Sequence, residues 1–177
     1  MNYQKFIPSV LIFISFCTFF SCKNDSSSTN QPEQNQISQN DSLLLQKINY
    51  PKNEVLLSEK AQDEAEKWML YVGMEGEIKR MKNYSLDDAI TNAPSILRAS
   101  DTLLKTIPKK FRTKPIESRV KVLHTKASVL YQQSQKQQKD LDKLKEVAEE
   151  LPVDFYNLNI QLNEVFIEMP ELETLER

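Results

Sequence analysis

The sequence predicts an all-α fold, a small antiparallel bundle of three to four helices with heptad-like packing. Three observations carry this. Gly73 and Gly76 are the two glycines in 177 residues, too few for the tight turns of an all-β fold. Apolar residues recur at alternating steps of four and three through most of the second half, the period of a buried helical stripe. Start signals, Ser58, Ser85 and Asp140 among them, stand ahead of those stripes.

Residues 1–21 are set apart from the rest. Lys5 precedes an apolar run from Phe6 to Phe20, which is shorter than the roughly 20 residues a stable bilayer-crossing helix needs. The run ends in Phe19-Phe20-Ser21-Cys22. This order, apolar residues then a small one then cysteine, resembles the lipobox of bacterial lipoproteins. The resemblance implies a signal peptide cut between Ser21 and Cys22. It also implies a diacylglyceryl thioether on Cys22 with a further acyl chain, palmitate in class, on the new amino group. A thiol suits that role because sulfur is the nucleophile that takes the lipid. Each buried CH₂ contributes about 0.8 kcal/mol, so two or three such chains anchor a protein to a bilayer. Cys17 would leave with the signal, and the mature chain would then hold no free thiol, disulfide or cysteine metal site. Lys23 in the next position points to the outer membrane. Lys23-Asn24-Asp25 is a short match to the charged export tracts of the Bacteroidota, and leaves the periplasmic and the surface face both open.

Residues 22–52 read as the lipidated cysteine and a tether. From Asn24 to about Asn49 the chain is rich in Ser, Asn, Gln and Asp, with few large apolar residues before Leu43-Leu44-Leu45. Such a segment is expected to be disordered, with a reach on the order of 30 Å. Pro51 and Val55-Leu56-Leu57 lead into the folded domain, residues 53–169.

Ser58 predicts the cap of a helix running to about Lys82, with Ala61, Ala65, Trp68, Met69, Val72 and Gly76 on one side. Close approach of a neighbouring backbone would explain Gly73 and Gly76, each unfavourable by about 1 kcal/mol relative to Ala. Ser85-Leu86-Asp87-Asp88 is a capping box with Asp in place of Glu. It opens a stripe of Leu86, Ile90, Ala93, Leu97, Ser100, Leu104 and Ile107, kinked at Pro94 and ended by Pro108. Lys109 to Lys114 form a basic connecting loop. Pro115 favours a new helix start. Ile116, Val120, Leu123, Ala127, Leu130 and Ser134 continue the spacing, as do Leu144, Ala148, Leu151, Phe155, Leu158 and Leu162, out to Met169. One straight helix of this length would be about 80 Å long. The chain is therefore expected to turn at Gln132–Lys139, with Asp140 capping the next helix, and to kink at Pro152. A helix continuing to about Glu150 is the rival reading. Residues 170–177 form an acidic tail.

No catalytic chemistry is legible. His124, the one histidine, has no Glu-x-x-His partner for a bundle metal site and reads as a structural residue. Met69, Met74 and Met81 suit core filling better than soft-metal capture. Trp68, Tyr71, Tyr131, Phe155, Tyr156 and Phe166 fit core positions better than a ligand pocket. Glu64, Glu66, Glu75, Glu77, Glu146, Glu149 and Glu150 read as solvated faces. The net charge of −2 becomes −3 once the segment bearing Lys5 is removed, and excludes a basic nucleic-acid surface.

The stretches "SLDDAITNAPSILRASDTL", "RVKVLHTKA" and "LNEVF" are similar to stretches of an uncharacterised family of small helical lipoproteins of flavobacteria and other Bacteroidota. The likeness spans roughly residues 58 to 168. It implies an envelope location and a helical fold, and it carries over no functional site. The functional expectation is a non-enzymatic interaction module. It would be held to a lipid bilayer through acylated Cys22, with a protein partner in the envelope and no cofactor. The alternative is a small-ligand or metal-binding envelope protein, in which Trp68, the methionines and His124 converge.

Overall fold

The computed structural model describes residues 40–167. Ser21, Cys22 and Cys17 lie outside them, as do most of the tether, Met169 and the acidic tail. The described residues form an all-α bundle, in which α1 (Glu59–Ala65) leads into α2 (Met69–Met81), α3 (Leu86–Lys105), α4 (Lys114–Ser134) and α5 (Leu141–Glu164). A 3₁₀ turn, Lys109–Phe111, joins α3 to α4. The connections from α2 through α5 are short, so these successive helices run antiparallel. Helix α3 packs on α2 and α4, and α5 closes the bundle against α4, α3 and α2. None of these helices is long and apolar enough to cross a membrane.

The helix starts follow the local chemistry. Ser85 Oγ accepts from the Asp88 amide at 3.1 Å while Asp88 Oδ2 accepts from the Ser85 amide at 2.8 Å, a reciprocal box that satisfies two otherwise unpaired donors. Asp140 Oδ1 accepts from the Lys143 amide at 3.0 Å and starts α5. The main corner lies at Gln135–Asp140, and Pro152 sits inside α5 with its ring buried. The buried residues of α4 are Ile116, Val120, Leu123, Ala127, Leu130 and Ser134, the stripe expected from spacing alone.

Four expectations need correction. The helix from Ser58 does not run through to Lys82. It stops at Ala65, and Trp68, at φ −96° and ψ 80°, leaves helical geometry. The break turns the indole into the core, where its N–H reaches Thr106 Oγ1 at 3.1 Å and its ring stacks on Tyr71. Burial of an aromatic ring outweighs a few intrahelical hydrogen bonds. The buried stripe of α2 is consequently Tyr71, Met74, Ile78 and Met81, with Met69 and Val72 exposed.

The glycines of α2 do not mark a close approach. A Cβ at Gly73 would meet nothing within 4 Å, and one at Gly76 would meet only the Arg80 guanidinium at 3.9 Å. On α3 the stripe is wider than expected. Ala89, Ile96 and Leu103 are buried beside Leu86, Ala93, Ser100 and Ile107, while Ile90, Leu97 and Leu104 sit at its flank. Contact with α2, α4 and α5 together buries more than one seam of this helix.

The described part of the expected tether is folded. Residues 40–44 are helical, Ile48 is buried, and Gln46 to Ile48 bracket the start of α3, with Leu86 N donating to Gln46 O and Ile48 N donating to Tyr84 O. From there to Ser58 the chain forms a strap along α5. Asn159 Nδ2 donates to Val55 O at 2.8 Å, Asn163 Nδ2 to Leu56 O at 3.0 Å, and Ser58 N to Asn163 Oδ1 at 2.7 Å. Two asparagine side chains thus satisfy strap backbone groups that no strand pairs.

A line of aromatic rings threads the core under this strap. Tyr50 meets Tyr156, which meets Phe155, then Tyr71, Trp68, Phe111 and Phe166, with centroids 5.4 to 6.3 Å apart. Each such pair contributes roughly 0.5–1.5 kcal/mol beyond the area buried.

Candidate functional site: the groove between α3 and α4

Antiparallel packing sets Pro94–Asp101 of α3 against His124–Tyr131 of α4. Between them lies an open groove of about 460 Å³ lined by Pro94, Leu97, Arg98, Asp101, His124, Ser128 and Tyr131. Its apolar wall is Pro94, Leu97 and the Tyr131 ring. Its polar groups come from turns of the two helices that face each other.

His124 is held by α3. Ser100 Oγ lies 3.3 Å from Nδ1 and donates its hydrogen to Leu97 O at 2.8 Å. With the single hydroxyl hydrogen on Leu97 O, Oγ turns a lone pair to the ring and the matching tautomer carries its hydrogen on Nδ1. In the neutral ring the Nε2 lone pair is then left available. Ser128 Oγ donates to His124 O at 2.8 Å and braces the turn below. Asp101 Oδ2 is paired with Lys105 Nζ at 2.7 Å, one turn along the same helix. Arg98, by contrast, has no ion-pair partner among the described residues, nor does the Tyr131 hydroxyl have a hydrogen-bond partner there. Arg98 is thus an exposed cation of the groove with no ion pair among the described residues, while Asp101 is held by Lys105.

Two carboxylates elsewhere are unusual. Asp154 holds an oxygen that is shut from solvent and unpartnered, and burial raises its carboxyl pKa above the usual range despite the attraction of Lys126. It lies beside Lys126, Glu146, Glu149, Glu150 and Val153. Glu77 pairs with Arg80 through one oxygen while the other is buried without a partner. The remaining glutamates are largely surface partners: Glu75 with Lys79 at 3.0 Å, Glu146 with Lys143 at 2.7 Å, Glu64 with Lys67 at 2.8 Å, and Glu150 with Lys126. Pairs of this kind contribute about 0–1 kcal/mol each.

The residues that a metal or ligand site would have needed are not gathered. Trp68, Met74 and Met81 are in the core, Met69 is in solvent, and His124 is bound to Ser100 between α3 and α4. Among the described residues no group of three or more His, Cys, Asp or Glu is placed to hold a metal ion. Of the aromatic residues, Tyr131 alone lines the groove, while Trp68, Tyr71, Phe155, Tyr156 and Phe166 belong to the ring line. The sequence reading missed Arg98 as a site residue. Its signal was faint: an arginine one turn before Asp101, whose expected i,i+3 partner is taken by Lys105.

Comparison with models of protein families, with curated proteins and with solved structures finds no match to this chain.

Proposed function

We propose that the chain is a lipid-anchored helical module of the bacterial cell envelope, which acts by binding a protein partner and has no catalytic activity of its own. The order Phe19-Phe20-Ser21-Cys22 supports the anchor. The outer face of α5 supports the binding role and is the observation that carries it. Val153, Ile160 and Ile167 are 47%, 41% and 64% exposed and follow one another at seven-residue steps. Leu56 of the strap, hydrogen-bonded through its carbonyl to Asn163, is exposed beside them.

Seven residues make two helical turns, so Val153 and Ile160 stand in one column on α5, facing away from a core that is closed without them, and Ile167 follows just past the helix end at Glu164. A partner helix with apolar side chains at the same step would pack along this column. Glu146 and Glu164 are exposed on the same face and favour lysine or arginine on the flanks of that partner helix.

A photo-crosslinking residue at position 160 of the full chain, expressed in cells, tests the binding role. The expected result is one dominant crosslinked envelope protein, lost with Val153→Asp. Diffuse labelling, or labelling indifferent to Val153→Asp, would sink it. Mass spectrometry of the mature N-terminus tests the anchor separately, and an unmodified Cys22 in a soluble fraction would overturn it.

A further inference from the structure

We infer that the groove between α3 and α4 is a binding site for a small carboxylate that carries an adjacent N–H and an apolar tail, the chemistry of an N-acyl amino acid or a peptide C-terminus. This develops the small-ligand reading of the chain, keeping His124 and Tyr131 but replacing Trp68 and the methionines with Arg98, Pro94 and Leu97, and it does not depend on the α5 column or on the anchor.

Three groups make the assignment. Arg98 has no ion-pair partner among the described residues, although Asp101 lines the same groove, because Asp101 is held by Lys105 at 2.7 Å. A planar guanidinium in that state is suited to a bidentate carboxylate. His124, its Nδ1 turned to Ser100, offers the Nε2 lone pair to a donor, and an amide N–H next to the carboxylate supplies one. Pro94, Leu97 and the Tyr131 ring form an apolar wall of the kind that receives an aliphatic side chain. The volume of about 460 Å³ accommodates one or two residues, not a folded partner.

Arg98 also borders a second groove, between α2 and α3, where Glu77 presents its unpartnered oxygen. Glu77 is already engaged by Arg80, so it does not neutralise Arg98. The ligand carboxylate therefore meets an exposed guanidinium with no ion-pair partner among the described residues to compete for it.

The single histidine of the chain makes the test clean, since the protein shows one set of imidazole proton resonances. The full chain in detergent micelles is titrated with N-acetyl-leucine, with N-acetyl-leucinamide, and with an acetylated tripeptide ending in leucine, while the His124 ring signals are followed. A ligand of this size is expected to half-saturate on the order of a few millimolar. The amide, lacking the charge, is expected to bind at least about tenfold more weakly, and Arg98→Gln to weaken the acid by a similar factor. Arg98 is exposed, so the variant is expected to keep its fold, and circular dichroism checks that it does. Tighter binding of the tripeptide identifies a peptide end as the natural form, and equal or weaker binding identifies the free acyl amino acid. No saturable shift by about 20 mM, an equal response to the amide, or an unchanged affinity in Arg98→Gln overturns the site.

Discussion

Tyr71 donates its hydroxyl hydrogen to Asn159 Oδ1 at 2.8 Å, and both side chains are closed to solvent. The other end of the Asn159 amide donates to Val55 O, so one buried side chain joins α2, α5 and the strap. Replacing it strands two polar groups at once. Asn159→Leu is expected to lower stability by about 3 kcal/mol, and Tyr71→Phe by about 1 kcal/mol, because the phenylalanine strands one acceptor, Asn159 Oδ1, while Asn159 Nδ2 keeps its bond to Val55 O. Urea denaturation of both variants and of the double variant checks this. Additive losses would show that the pair does not act as a unit.

The same hydroxyl links stability to alkaline pH. Burial, with the nearby Glu75 carboxylate adding to it, raises the Tyr71 phenol above its ordinary value near 10. The folded chain then keeps a proton that the unfolded chain loses, so this contribution is complete below about pH 10 and declines above it. The expected slope is about 1.4 kcal/mol per pH unit until the folded phenol ionises. Tyr156, raised by burial and by its bond to Tyr50, acts in the same direction. Stability curves of the wild type and Tyr71→Phe between pH 9 and 11.5 should converge as pH rises; parallel curves would contradict the linkage.

Gly73 and Gly76 lie in open helix. Alanine fits at both places without a clash and removes the entropy that glycine loses on folding. Gly73→Ala and Gly76→Ala are each expected to raise stability by about 1 kcal/mol. A loss at either site, measured by thermal unfolding, would mean that a neighbour packs there after all.

The box at the start of α3 should be sensitive to acid. The backbone N–H and hydroxyl of Ser85 hold the Asp88 carboxyl below its ordinary range. Its contribution is present above the unfolded value near 3.8 and disappears as pH falls through the folded one. Ser85→Ala is expected to cost about 1 kcal/mol at pH 7. The part of that loss carried by the bond from the Ser85 hydroxyl to the carboxylate should shrink as pH falls through the folded value. The loss read from denaturation midpoints is therefore expected to be smaller in acid than at pH 7.

The parts of the fold that were legible in the sequence are those governed by neighbours three or four residues away. The stripe of α4, the box at Ser85 and the corner ahead of Asp140 depend on local spacing and capping, and they read correctly. Trp68 departs because its partners, Thr106 and Phe111, are about forty residues on, and no local pattern announces them. Phe111 was hidden likewise in a run of lysines, and Ile48 in a polar stretch, though both are buried. The groove was half legible. His124 drew notice as a lone histidine, but Arg98 matters through the partner it lacks, which becomes visible only when Asp101 is seen bound to Lys105.

The strap also governs how the bundle carries load. Its fastenings at Gln46, Ile48, Asn49, Tyr50, Val55, Leu56 and Ser58 follow one another along the chain, to points on α3, α5 or the turn before α3, the last two sharing Asn163. A pull on the N-terminal side of Gln46 meets them in series, so tension peels one bond at a time before it reaches α1. Were that side held at a membrane, the strap would serve as a shock absorber, lengthening under brief force while the helices that form the α3–α4 groove and the α5 column keep their places.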